Sequence, residues 1–140
     1  MIEAELAFVD TTRELLDVME SLIKESLGQV LRTNLADVEL YTKLTNETNM
    51  RNVDLLLCSD FKILTYDEAL DVLASAKPNS FTAPRPRPGQ NLGKEHEMYL
   101  VQKHCGNVPV FVVDWHPETK PFYARVDQAA KIQAGSVPRG

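Results

Sequence analysis

Residues Asn91 to Arg125 read NLGKEHEMYLVQKHCGNVPVFVVDWHPETKPFYAR, and this stretch decides the fold. Gly93 precedes a run from Lys94 to His104 with helical spacing, in which Met98, Leu100, Val101 and Cys105 are placed toward a core. Val108 to Val113 is almost continuously apolar, the pattern of a strand covered on both faces. His116-Pro117-Glu118-Thr119 is a turn, and Lys120 to Val126 is the next strand. Helix, buried strand, turn and strand within thirty-five residues point to an α+β domain.

The same logic extends outward. Phe61-Lys62-Ile63-Leu64 is a short strand, and Thr65 with Glu68 has capping-box spacing ahead of Ala69, Leu70, Leu73 and Ala76. Pro78 ends that helix. Pro84-Arg85-Pro86-Arg87-Pro88-Gly89 favours extended polyproline backbone and reads as an exposed loop. Nearer the start, Thr11 and Glu14 repeat the capping-box spacing, and Leu15, Met19, Leu22, Ile23, Leu27 and Val30 carry a helix to about Arg32. A weaker helical stretch covers Asp37 to Leu44, and the polar run Thr45 to Asn52 is expected to be a loop or a frayed helix end. Ile2 to Val9 alternates with the period of a half-buried antiparallel strand. On that strand Glu3 and Glu5 point the same way, about 7 Å apart. The spacing suits either a solvated face or a pair of acceptors for a cationic ligand.

Composition bounds the function. The chain has 140 residues, 44% hydrophobic and 25% charged, which is ordinary for one globular domain. Its formal net charge of −5 argues against an autonomous nucleic-acid binder, which needs a basic face to displace counterions from phosphates. Cys58 and Cys105 lie among apolar neighbours and read as buried free thiols of a reducing compartment. No apolar run is long enough to span a bilayer, so no membrane partner is expected. The acidic opening MIEAELAFVD is neither a secretory signal nor a presequence; an organellar address would lie outside this chain. His96, His104, Cys105 and His116 fit no recognised zinc spacing, so no metal site is assigned to them. No Walker-type glycine loop and no Gly-x-Ser-x-Gly elbow occurs.

Four segments, in order, carry a family resemblance: MIEAELAFVD, FKILTYDEALDVL, GKEHEMYLVQKHCGNVPVFVVDWHPETKPFYAR and GSVPRG. Together they resemble the catalytic domain of asparaginyl-tRNA synthetases of the organellar and bacterial type. The third match is the most specific and the second the least. The resemblance implies an antiparallel sheet with flanking helices, an incomplete class II catalytic core. Residues 1–126 would be part of the catalytic domain. Residues 127–140 would be a poorly ordered tail that leads toward motif 3.

The resemblance also implies a site and partners. Glu3 and Glu5 suit the ammonium and amide of asparagine as acceptors. Arg125 suits a carboxylate, and Lys120 offers a point charge. The full-length family uses ATP and Mg2+, acts on asparagine and tRNA(Asn), and forms a homodimer; the implied location is the mitochondrial matrix or the cytoplasm. Motifs 1 and 2 and the motif 3 arginine have no counterpart in these residues. Only residues 126–134 separate the FYAR and GSVP segments, where the family has a longer block. Arg139 stands where the family has His, and PRPRPG replaces a tryptophan-glycine segment. The isolated chain is therefore expected to be inactive. A non-catalytic amino-acid-binding paralogue and an aspartyl-tRNA synthetase or asparagine synthetase relative are the alternative readings.

Overall fold

The computed structural model describes residues 5–45 and 48–120. Glu3, Arg125, most of the strand expected at 120–126 and the tail at 127–140 lie outside the described residues. In chain order the elements are α1 (Thr12–Thr45), α2 (Thr48–Cys58), β1 (Lys62–Thr65), α3 (Tyr66–Ser75), α4 (Lys94–Tyr99), a π-helical turn (Leu100–His104), β2 (Val110–Val113) and a 3-10 turn (Pro117–Thr119). They fall into two compact units, one of residues 1–61 with 107–111 and one of residues 62–106 with 112–140.

In the first unit α1 packs with α2. The break read from sequence between Arg32 and Asp37 is a kink at Asn34, whose φ of −137° and ψ of 34° are non-helical. Its local cause is side-chain competition. The Thr33 hydroxyl donates back to the Gln29 carbonyl at 2.9 Å, and Asn34 Nδ2 donates to that hydroxyl at 2.7 Å. Leu16 and Thr42 are the buried side chains of α1, whereas Leu22, Val30, Leu40 and Leu44 are exposed. Thr11 and Glu14 are joined side chain to side chain at the start of the helix. In the stretch expected to be a loop or a frayed helix end, Thr45 closes α1 and the residues from Thr48 onward belong to α2. Met50, Val53, Leu55, Leu56 and Leu57 are its half-buried residues, and Arg51, Asn52 and Asp54 among them are exposed. Cys58, expected to be buried, is exposed at the end of α2.

Two further expectations change. Residues 5–9 are irregular, with Phe8 exposed and in left-handed backbone at φ 58°, so no strand forms over this part of Ile2 to Val9. A strand needs a neighbour for its N–H and C=O groups, and among the described residues only β1 and β2 pair. Those two strands run parallel, not antiparallel. The reason is in the connection: parallel pairing requires a long crossover, and α3 and α4 with their loop supply one.

The second unit holds a small apolar core of Tyr66, Ala69, Leu73, Leu92 and Leu100, lined by Leu64, Phe81, Val112 and Trp115. Thr65 and Glu68 form the expected capping box at the start of α3. The far end of α3 is closed by a distant residue. Arg85 donates to the carbonyls of Ala74 (2.9 Å) and Ala76 at the end of the helix, and at 3.4 Å to that of Lys77, which also accepts from Ser80. The proline-rich segment is thus anchored through one of its arginines. Met98, expected to face the core, is 46% exposed, while Leu100 and Cys105 are buried. The i+5 bond from Cys105 N–H to the Leu100 carbonyl, 2.8 Å, widens the last turn and shifts the register of the residues beyond Tyr99.

Tyr66 is buried, yet its hydroxyl donates to two main-chain carbonyls, of Gln90 at 2.6 Å and Arg87 at 3.2 Å. These bonds hold the 87–90 turn, where Gly89 sits at φ +80° and a Cβ would meet the Glu118 carboxylate at 2.9 Å. Tyr66→Phe would remove the hydroxyl donor from the Gln90 carbonyl and leave the Arg87 carbonyl with the Gln90 N–H alone. It should lower the unfolding free energy by about 1–3 kcal/mol, read from urea denaturation of the 140-residue chain. An unchanged midpoint would show that the hydroxyl does not hold the turn.

Candidate functional site

Of the four predicted site residues, Glu5 and Lys120 are described. Glu5 is exposed in the irregular segment of the first unit. Lys120 is in the second unit, with Nζ 4.1 Å from the centre of the Trp115 ring. That geometry is a cation–π contact, worth about 0.5–1 kcal/mol at an exposed site. It biases the exposed Lys120 side chain toward the Trp115 face. The convergence of Glu3, Glu5 and Arg125 lies outside the described residues.

Behind Lys120 the support is aromatic. Trp115 leans on Tyr66 with ring centres 5.1 Å apart and planes 35° apart, and its Nε1–H donates to the Val112 carbonyl at 2.7 Å. Lys120, Trp115 and Tyr66 therefore form a stack from the surface to the core, directly before the segment that contains Arg125. The sequence showed Trp115 and Tyr66 only as isolated aromatics; their pairing across forty-nine positions has no local signal.

The Glu95-His96-Glu97 segment opens α4 as expected. His96 is buried, its Nδ1 accepting the Gly93 N–H at 3.0 Å, so its proton sits on Nε2. That Nε2 is buried without a partner among the described residues, as is Nδ1 of His116. The ring also meets Phe81 edge-on at 4.9 Å. Among the described residues no group of three or more His, Cys, Asp or Glu side chains comes together in a metal-binding arrangement. Cys105 is a buried free thiol, and desolvation pushes its pKa up against the opposing charge of Lys62. Its sulfur stays in the unreactive protonated form at neutral pH.

Glu95 performs a structural task. Its carboxylate accepts from the Thr82 hydroxyl, the Thr82 N–H at 2.8 Å and the Ala83 N–H at 3.4 Å, pinning the loop after α3 to the start of α4. The Thr82 hydroxyl bond, followed by the two backbone bonds, holds the Glu95 carboxyl below the usual carboxylate range. Glu68 is held down likewise, first by the Thr65 N–H and then by its hydroxyl. Because folding lowers these pKa values, the folded state binds fewer protons. The contribution is complete above the unfolded carboxylate range and is lost as pH falls through the lower folded value. Glu95→Gln should therefore flatten the loss of stability between about pH 7 and pH 3, followed by urea midpoints across that range. An acid limb identical to that of the unsubstituted chain would contradict this role.

Residues 1–137 match the model of the family described as tRNA synthetases class II (D, K and N). The chain is 43% identical over 126 residues to a human asparaginyl-tRNA synthetase and 40% identical over 129 residues to the mouse protein. These alignments cover 89% and 91% of this chain and 26% of each relative. It is 34% identical over 134 residues to an asparagine–tRNA ligase of Acholeplasma laidlawii, covering 96% of this chain and 28% of that protein. The chain thus spans about a quarter of the length of the curated relatives it matches. Nearly its whole sequence, from the acidic opening to the residues beyond the FYAR segment, aligns within one family, and it belongs to the class II tRNA synthetases of the D, K and N group.

Proposed function

We propose that this chain is part of an asparagine–tRNA ligase, in which it contributes the amino-acid side of the catalytic domain. The observation that carries the reading is the match over residues 1–137 together with relatives named for asparagine at 40% and 43% identity. The family description spans three amino acids, and the curated names favour asparagine over aspartate.

The reaction proceeds in two steps. The carboxylate of asparagine attacks the α-phosphorus of ATP in line, forming the mixed anhydride and releasing pyrophosphate. A terminal hydroxyl of the tRNA then displaces AMP. Such chemistry depends on positioning and charge stabilisation. In this reading Glu3 and Glu5 accept hydrogen bonds from the ammonium and amide of asparagine. Arg125 pairs bidentately with a carboxylate or braces the pocket, and Lys120, held over Trp115, supplies positive charge. ATP and Mg2+ are the cofactors of the whole enzyme, tRNA(Asn) its second substrate, and a homodimer its assembly. The compartment is the mitochondrial matrix or the cytoplasm. These 140 residues carry no counterpart of the two phosphate-gripping arginines, so the isolated chain binds asparagine without activating it.

The test combines two assays on the purified chain. Asparagine-dependent pyrophosphate exchange should be absent, whereas asparagine binding should be measurable by calorimetry. The Glu3→Ala/Glu5→Ala double variant should bind at least about ten-fold more weakly, since hydrogen bonds to charged groups contribute about 1.5–3 kcal/mol each. Clear turnover by the chain would refute its inactivity, and undiminished affinity in the double variant would remove the two glutamates from the pocket.

A further inference from the structure

An open groove of about 650 Å³ runs along α4 and the π-helical turn of the second unit, and none of the residues proposed for asparagine lines it. Its middle is apolar. Phe81 and Tyr99 meet edge-on with ring centres 5.2 Å apart, and Met98 is 46% exposed. Lys94 begins α4, and Lys103 lies in the π turn, nine residues on. At a helical rise of about 1.5 Å per residue the two positions are roughly 13 Å apart along the groove. Both lysines are exposed, and neither is in an ion pair among the described residues. Glu95 also lines the groove, so two positive charges stand there against one negative. Its carboxylate already accepts hydrogen bonds from Thr82 and Ala83.

We propose that this groove docks a linear acidic peptide of a partner protein, bound extended, with the pattern acidic–x–apolar–x–acidic. The spacing gives the pattern. In an extended chain residues i, i+2 and i+4 share one side, and four steps span about 13 Å. The outer carboxylates then reach Lys94 and Lys103, while the central side chain meets Met98 and the two rings. A methionine suits this task, because its unbranched thioether adapts to different apolar partners. Asn79 and Gln102 in the lining each present a donor and an acceptor, the complement of a peptide backbone. Charge favours a peptide over a nucleic-acid strand. A strand brings a phosphate at every nucleotide, and two lysines beside Glu95, on a chain of net charge −5, match few of them. A peptide of this pattern needs two carboxylates met, and salt screens the protein's more distant acidic groups beyond about 8–10 Å. The inference goes beyond the ligase reading and uses none of its residues.

The test uses the 140-residue chain and a fluorescein-labelled peptide with Glu-Thr-Leu-Thr-Glu at its centre, followed by anisotropy. The threonines favour extended backbone. Binding should be saturable. It should weaken at least about five-fold in Lys94→Ala/Lys103→Ala, and likewise when the two glutamates of the peptide are placed side by side. The double-lysine variant should also lose most of the salt dependence, whereas Met98→Ala should weaken binding and keep it. Lys94→Glu/Lys103→Glu should reject this peptide and bind one with lysines in place of its glutamates, a reversal that misfolding cannot produce. Circular dichroism melts of each variant identify loss of fold separately. Equal affinity for the glutamate and lysine peptides overturns the proposal, as does wild-type affinity in the double-lysine variant. A single-stranded RNA oligonucleotide that displaces the labelled peptide at lower concentration than unlabelled peptide does would assign the groove to nucleic acid and overturn it too. A dimer of the chain that Met98→Ala dissociates would assign the groove to a second copy, with the same consequence.

Discussion

The buried Tyr66 hydroxyl and ring order the second unit. Tyr66 is the first residue of α3, next to the capping box of Thr65 and Glu68, so the helix start fixes its position. From there the hydroxyl reaches across the core to the Arg87 and Gln90 carbonyls, and the ring supports Trp115. Three segments far apart in sequence are set by one side chain: the helix entry, the proline-rich turn and the stretch after β2. Lys120 inherits its place from this arrangement through Trp115. A buried phenol can do this only if its oxygen is satisfied, which is why two carbonyls are turned inward to meet it.

The loop between α3 and α4 follows the same logic. A segment rich in proline cannot supply a full ladder of backbone donors, so its position depends on side chains at both ends. Arg85 closes the C-terminus of α3, and Glu95 holds Thr82 and Ala83 at the entry to α4. These contacts make one surface of α4 an ordered groove, although its lining is mostly polar and exposed. Glu95, the carboxylate that anchors the loop, also lines the groove, and neither Lys94 nor Lys103 is in an ion pair among the described residues.

Local signals were legible in the sequence, and partnerships between distant residues were not. The capping box at Thr65, the stop at Pro78, the helix at Lys94 and the apolar strand ending at Val113 are all where the pattern places them, because each depends on neighbours within a few positions. The kink at Asn34 falls in the predicted gap, but the back-bonding of Thr33 that causes it was hidden. Alternation alone promised a strand at Ile2 to Val9. Residues 5–9 do not form one, since alternation describes a face and supplies no pairing partner. The parallel order of β1 and β2 departs from the antiparallel sheet implied by the family resemblance, and the long helical connection between the two strands is what permits it. Of the candidate site, the aromatic seat of Lys120 and the carboxylate clamp of Glu95 join residues five and about thirteen positions apart, spacings with no helical or strand period to betray them.

We propose that this chain, a member of the class II tRNA synthetases of the D, K and N group, carries their asparagine-recognising part. The most direct test is a titration of the 15N-labelled chain with asparagine and, separately, with aspartate, followed by backbone amide shifts. Saturable shifts are expected with asparagine, centred on the residues around Glu3, Glu5, Lys120 and Arg125, with much weaker responses to aspartate. Shifts absent with asparagine, or equal for both amino acids, would contradict it.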